Sequence, residues 1–137
     1  MVDKKDIVQL ILFAEQARAN AYAPYSGFCV GAALLADEDE IFTGANIENA
    51  SYGATICAER VALNHAVSEG RRTFKAMAIV GGAAQQTFAY PCGICRQVMA
   101  EFCSEDFLVI VAKNTEEYEL INLGKLLPKA FHLEENK

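Results

Sequence analysis

The 137-residue sequence has no apolar run of the roughly 18 residues that a membrane-spanning helix requires. Its first 21 residues, MVDKKDIVQLILFAEQARANA, are apolar enough to resemble a signal peptide. Polar residues interrupt that stretch in helical rhythm, however, and no small-residue cleavage pattern fits it well. We therefore predict a cytoplasmic protein with no membrane partner.

Positive charge is also scarce, since 12 Lys and Arg residues stand against 18 Asp and Glu residues and give a net charge of -6. Proteins that bind a polynucleotide backbone usually carry a stripe of basic residues, because phosphate contacts supply most of the affinity. The basic residues here are scattered. We predict no nucleic-acid partner, and a phosphorylated small molecule is disfavoured unless a single arginine lines the pocket.

The cysteines are odd in number, which argues against a disulfide framework in a chain without an export signal. There are five of them: Cys29, Cys57, Cys92, Cys95 and Cys103. Metal binding or reactive-thiol chemistry is the better prediction.

The apolar pattern predicts helices that alternate with strands. Helices are predicted over 3–21, 57–68 and 94–103, with a last helical turn at 123–128; strands are predicted over 28–36, 41–47, 76–82, 107–112 and 118–121. This alternation is typical of a three-layer α/β/α fold with a mixed central sheet. We expect one domain over 1–137, with a loose tail at about 133–137.

Cys92 and Cys95 form a C-x-x-C pair, which by itself fits a redox pair, half of a structural zinc site or part of a catalytic one. A structural zinc needs four protein ligands, whereas a catalytic zinc keeps three and leaves one position for water. Together with Cys57, the pair provides three candidate zinc ligands. The candidates for a fourth ligand are better interpreted as buried or surface side chains; these are Cys29, Cys103, His65 and His132.

Cys57 and Glu59 stand at the start of a predicted helix. In the middle of a helix, residues i and i+2 point about 200° apart and cannot share a site. At a helix start both can face the space beyond the terminus, so Cys57 can hold a metal while Glu59 lies over a metal-bound water. Glu59 is the predicted catalytic residue.

Three thiolates on Zn²⁺ leave a net charge of -1, which makes a poor Lewis acid. Two helix N-termini facing the sulfurs would offset that charge. Arg60 and Arg96 each lie one turn from a ligand cysteine and on its face. We predict that both donate hydrogen bonds to ligand sulfur.

These residues resemble the zinc-dependent cytidine deaminase family in its small homotetrameric, three-cysteine form. The matching segments follow the family's order and span nearly the whole chain: YAPYSGFCVGAALL at 22–35, NIENASYG at 46–53, CAE at 57–59, PCGICRQ at 91–97 and LLPKAF at 126–131.

The resemblance implies one zinc ion per chain, bound by Cys57, Cys92 and Cys95, with Glu59 as the proton shuttle. It implies that Asn46 and Glu48 bind the sugar of a nucleoside.

Within the substrate-binding set that the resemblance implies, Ile47 lies between the two sugar-binding residues, with its side chain expected in the core. Phe28 would pack against the pyrimidine and the Ala58 backbone would read the base. Tyr52 and Phe131 would approach a neighbouring subunit's substrate in a homotetramer.

The function so implied is hydrolytic deamination of cytidine and deoxycytidine to uridine and deoxyuridine with release of ammonia, in pyrimidine salvage. A blasticidin-type aminonucleoside deaminase is the nearest alternative, although NIENASYG favours plain cytidine. Deoxycytidylate and polynucleotide deaminases typically carry a histidine where Cys57 stands. A non-enzymatic zinc or thiol protein would need a fourth ligand or a titrating Cys92–Cys95 disulfide.

Overall fold

The computed structural model describes residues 1–133, so most of the predicted tail, residues 134–137, lies outside the described residues. In chain order the elements are α1 (Lys4–Arg18), β1 (Cys29–Ala36), β2 (Ile41–Ala45), a 3₁₀ turn (Tyr52–Ala54), α2 (Ala58–Ser68), β3 (Phe74–Gly82), α3 (Gly93–Phe102), β4 (Leu108–Ala112), β5 (Tyr118–Asn122) and α4 (Leu123–Leu126). None of the helices within residues 1–133 is both long and apolar enough to cross a membrane.

The strands form one sheet in the order β2-β1-β3-β4-β5. The pairs β1–β2, β1–β3 and β4–β5 are antiparallel, whereas β3 and β4 are parallel. Parallel neighbours need a crossover connection, and α3 lies within it. The sheet is therefore mixed, as predicted.

Helices cover both faces of the sheet, and β1 shows how its side chains divide between them. Ala33 and Leu35 belong to the core cluster that α1 covers. Ala32 and Leu34 belong to the cluster under α2 and α3, because successive side chains of a strand point to opposite faces. The predicted three-layer α/β/α fold is confirmed.

Helix α1 starts as its sequence indicates but ends earlier than predicted. Asp3 is the N-cap, and a capping box joins it to Asp6. The helix ends at Arg18 rather than at residue 21, because the chain becomes extended at Tyr22, whose N–H donates to the Asn46 carbonyl. This early end leaves the last turn of α1 beside the ends of two strands.

The prediction that the Ile47 side chain points into the core is wrong, since the residue is 48% exposed. The backbone at Ile47 pairs with Tyr22 on one side and Ile56 on the other. In this small irregular bridge Asn46 takes the inward position and is only 9% exposed. Because side chains alternate along extended backbone, its neighbour Ile47 faces outward.

Candidate metal and active site

Three thiols meet where two helices begin. Cys57 is the N-cap of α2 and Cys92 is the N-cap of α3, and both have extended backbone. Cys95 is buried in the first turn of α3. The Cys57 and Cys92 sulfurs are 3.8 Å apart and the Cys92 and Cys95 sulfurs 3.5 Å apart.

The spacing of the sulfurs fits zinc. A tetrahedral ion with Zn–S bonds of about 2.3 Å holds its sulfurs about 3.8 Å apart. The three Sγ atoms all lie within 4.8 Å of one another, and within residues 1–133 the cluster has only these three members. A fourth coordination position is therefore left for a small molecule.

The side chains considered as a fourth ligand lie outside the cluster. The rings of His65 and Phe42 pack in a T-shaped arrangement at a centroid distance of 5.2 Å. Cys103 packs against the core, and burial raises the pKa of its thiol to about 12. These contacts agree with a structural role for both.

The cluster favours thiolate at Cys57. A hydrogen bond from Cys95 lowers the pKa of the Cys57 thiol to about 5, and Arg60 contributes in the same direction. Nη2 of Arg60 lies 3.6 Å from the Cys57 sulfur. Since both helix N-termini also face the sulfurs, positive charge surrounds the anionic cluster.

Arg96 does not bond as predicted. Its Nε donates to the Pro91 carbonyl at 2.8 Å and its Nη1 donates to the Leu126 carbonyl at 2.7 Å. Pro91 lies in a loop and Leu126 is the last residue of α4, where helical carbonyls have no partner within the helix. The guanidinium of Arg96 supplies a donor to each. The prediction that Arg96 donates to a ligand sulfur is therefore wrong. Arg96 instead bonds the carbonyl of the residue that precedes Cys92.

Glu59 is buried beside the thiols, with 5% of its surface exposed. Burial raises the pKa of its carboxyl group to about 7, and the negative charge at Cys57 adds to the effect. Cys57 and Glu59 line the same cavity, because Cys57 precedes the helix while Glu59 is in its first turn. A carboxyl group with a pKa near neutrality can both take up and release a proton.

The cavity has a volume of about 490 Å³, within the usual range of small-molecule sites. It brings together seven of the predicted site residues: Phe28, Asn46, Glu48, Cys57, Ala58, Glu59 and Cys92. The remaining lining residues are Ser26, Val30, Thr55, Ile56, Phe88, Ala89 and Tyr90.

The two polar side chains from the NIEN segment are held by hydrogen bonds to residues 26–30. Asn46 accepts from Val30 N–H at 2.9 Å and donates to the Phe28 carbonyl at 2.8 Å. Glu48 accepts from the hydroxyl and N–H of Ser26, which lowers the pKa of its carboxyl group. Both side chains are thus oriented at the cavity wall, with Glu48 ionised.

Of the residues predicted to contact a nucleoside, three do not line this cavity. Ile47 faces outward, Tyr52 lines an adjoining cavity that shares Ser26 and Glu48, and Phe131 is exposed. Tyr52 and Phe131 are 77% and 67% exposed.

Sequence reasoning missed Ser26, Phe88 and Tyr90. The sequence marks these residues as site candidates only by their positions: Ser26 precedes a turn glycine, and Phe88 and Tyr90 come shortly before Cys92.

Three clustered thiols at the start of two helices of a mixed α/β fold, with a buried carboxyl group in the same cavity, define a zinc-dependent α/β enzyme. Residues 4–111 match the family model described as the cytidine and deoxycytidylate deaminase zinc-binding region. The match covers most of the chain, which therefore belongs to the cytidine and deoxycytidylate deaminase family.

Individual relatives agree with this assignment. The chain is 50% identical over 130 residues to the cytidine deaminase of Halalkalibacterium halodurans, covering 95% of this chain and 97% of that protein. It is 48% identical over 130 residues to the cytidine deaminase of Sporosarcina psychrophila, covering 95% and 94%. The crystal structure of cytidine deaminase from Burkholderia pseudomallei matches with a TM-score of 0.83 at 45% identity, covering 90% of this chain and 97% of that one.

Proposed function

We propose that this protein catalyses the hydrolytic deamination of cytidine and deoxycytidine to uridine and deoxyuridine, with release of ammonia. The observation that carries the proposal is the buried Glu59 carboxyl group in the same cavity as three sulfurs at zinc-like spacing. The full-length similarity to cytidine deaminases supports the choice of substrate over other aminonucleosides.

Cys57, Cys92 and Cys95 would hold the zinc ion. When bound, zinc supplies Lewis acidity that lowers the pKa of a water molecule toward neutrality. The protein's own part in the reaction then falls mainly to Glu59.

Glu59 takes a proton from the attacking water and gives it to N3 of the cytosine ring. Protonation at N3 makes C4 electrophilic, and the water oxygen adds there. A second proton, from the added hydroxyl, passes through Glu59 to the amino group as the C4–N4 bond breaks. The products are uridine and ammonia, so the carboxyl group ends the cycle in its starting state.

The cavity wall would orient the nucleoside. Phe28 would pack against the pyrimidine and the Ala58 backbone would bond to the base. Glu48, ionised and fixed by Ser26, is suited to accept from a sugar hydroxyl. Asn46 uses one amide proton on Phe28, which leaves the second for the sugar.

We also propose a cytoplasmic homotetramer that acts in pyrimidine salvage. Two exposed aromatic side chains support a subunit contact, since Tyr52, which lines the adjoining cavity, and Phe131 would otherwise leave large apolar surfaces in water. Sedimentation analysis tests the oligomer, and a monomer with full activity would contradict it.

The central experiment follows the ultraviolet absorbance of cytidine on mixing with the purified protein, with and without a zinc chelator. We expect conversion to uridine that stops on chelation and returns when zinc is added. A protein that contains one zinc per chain and leaves cytidine and deoxycytidine unchanged would contradict the proposal.

Glu59→Gln provides the matched variant, because it keeps the size of the side chain and removes the proton carrier. Turnover should fall by about 10²-fold or more, while zinc stays at one ion per chain. Activity close to that of the unmodified protein would refute the role of Glu59.

A further inference from the structure

Arg18, the last residue of α1, holds three backbone carbonyls at the ends of two neighbouring strands. Its Nε donates to the Cys29 carbonyl, and its Nη2 donates to the carbonyls of Gly82 and Ala83, each at 2.9 Å. These contacts join the start of β1 to the end of β3.

Both strand ends lead into the cavity lining. Phe28 immediately precedes Cys29. After Gly82 comes a loop, residues 83–91, which we call the wall segment; it carries Phe88, Ala89 and Tyr90 and ends next to Cys92. Arg18 therefore connects two separate parts of the cavity lining without lining the cavity itself.

The backbone at the start of the wall segment needs such a donor. Gly82 has φ +152, a conformation that favours glycine, and the chain curls so closely that a Cβ there would collide with the Gln85 carbonyl. Gly82 pairs with Cys29 at the last position of the β1–β3 ladder, and Ala83 lies beyond it, where its carbonyl needs a partner outside the sheet. Nη2 of Arg18 bonds the carbonyls of Gly82 and Ala83 while Nε bonds that of Cys29, and an ammonium group has no second nitrogen with which to do both.

The wall segment has other attachments, and Arg18 is the one that ties its first residue to the start of β1. Gln86 donates to Glu15 of α1 at 3.0 Å and to the Lys113 carbonyl. Thr87 N–H donates to the Gly81 carbonyl at 2.6 Å, and the Tyr90 hydroxyl donates to Glu119 at 2.9 Å. At the far end Arg96 holds Pro91, next to Cys92. Loss of Arg18 would thus loosen the cavity wall while the metal ligands stay in place.

We infer that Arg18 is a positioning residue for the substrate: it sets the distance between Phe28 and the wall segment, and so the fit of the cavity around the nucleoside. This inference rests on the proposed function. Substrate affinity should depend on Arg18 more strongly than the chemical step does.

The test compares Arg18→Ala with Arg72→Ala in the zinc-loaded protein. Arg72 is a matched control, because it also donates to two carbonyls, those of Val67 and Arg71, but lies in the loop between α2 and β3, beyond the end of α2 that is opposite Cys57. Arg18→Ala should raise the KM for cytidine about tenfold, with a smaller change in kcat and one zinc per chain. Arg72→Ala should leave KM unchanged, whatever it does to the melting temperature.

A second readout does not depend on turnover. Amide hydrogen exchange across residues 83–91 should be faster in Arg18→Ala than in Arg72→Ala. Unchanged KM and unchanged exchange in Arg18→Ala, or equal effects in both variants, would overturn the inference. If the unmodified protein leaves cytidine intact, the proposed function fails instead, and the exchange data alone decide whether Arg18 holds the wall segment.

Arg18→Lys and Gln86→Ala cover the case in which Arg18→Ala does not fold. Lysine keeps the positive charge but lacks the separate nitrogen donors of the guanidinium group. We therefore expect a KM between that of the unmodified protein and that of a variant with no donor at position 18. Gln86→Ala removes a parallel attachment of the same segment and should raise KM in the same direction. Unmodified kinetics and exchange in both variants would refute the positioning role.

Discussion

The absence of a side chain at Gly44 allows α2 to lie directly against β2. A Cβ placed on Gly44 would come within 2.5 Å of Ala62 N and 2.8 Å of the Ala58 carbonyl, both backbone atoms of α2. Backbone of a packed helix cannot rotate away as a flexible side chain can. Gly44→Ala therefore forces the helix and the strand apart.

The size of the effect follows from these distances. Ordinary van der Waals contact begins at about 3.4 Å, so α2 would have to retreat by about 0.9 Å. Cys57 and Glu59 move with the start of that helix. A misplacement of about 1 Å can cost on the order of 10²-fold in rate, and overpacking a core costs about 1–3 kcal/mol of stability.

The assay measures kcat/KM for cytidine, zinc per chain and the free energy of unfolding for Gly44→Ala. Gly53→Ala is the control for stability, since a Cβ at Gly53 meets nothing within 4 Å. We expect a large loss of activity and stability in the first variant and unmodified stability in the second. Activity and stability of Gly44→Ala equal to those of the unmodified protein would refute the close-approach argument.

Three further substitutions distinguish residues that act at the metal site from residues that stabilise the fold. Arg60→Ala removes the donor to the Cys57 sulfur and should lower zinc affinity or activity about tenfold; unchanged kinetics with full zinc would dismiss that contact. Asp3→Ala removes the cap of α1 and should lower the melting temperature at neutral pH without changing KM. The fold lowers the pKa of Asp3 below 3.8, so the stabilisation by its carboxylate is present above that pH and is lost as the pH falls through the folded-state pKa. The melting temperatures of Asp3→Ala and the unmodified protein should therefore converge in acid. Cys103→Ser places a hydroxyl in an apolar site and should reduce stability while zinc content stays at one ion per chain; loss of zinc would instead make Cys103 part of the metal site.

Much of the site could be predicted from sequence because its chemistry is local. Cys92 and Cys95 lie within one helical turn, and Cys57 and Glu59 stand two residues apart at a helix start, so spacing alone predicts that each pair can act together. The elements followed from apolar periodicity in the same way. Errors occurred where periodicity ends: the direction of Ile47 in an irregular bridge, and the last residues of α1.

The amino-acid sequence by itself determined the alternation of helices and strands, the three thiols and the carboxyl group, because these depend on neighbours within a few residues. Only the tertiary structure decided which partners meet across the chain. It directed Arg96 to carbonyls rather than to sulfur, brought Phe88 and Tyr90 into the cavity and joined Arg18 to two strand ends. The physical reason is that backbone carbonyls are present at every residue and carry no sequence signature, so the acceptor that a long side chain finds depends on the folded path of the chain.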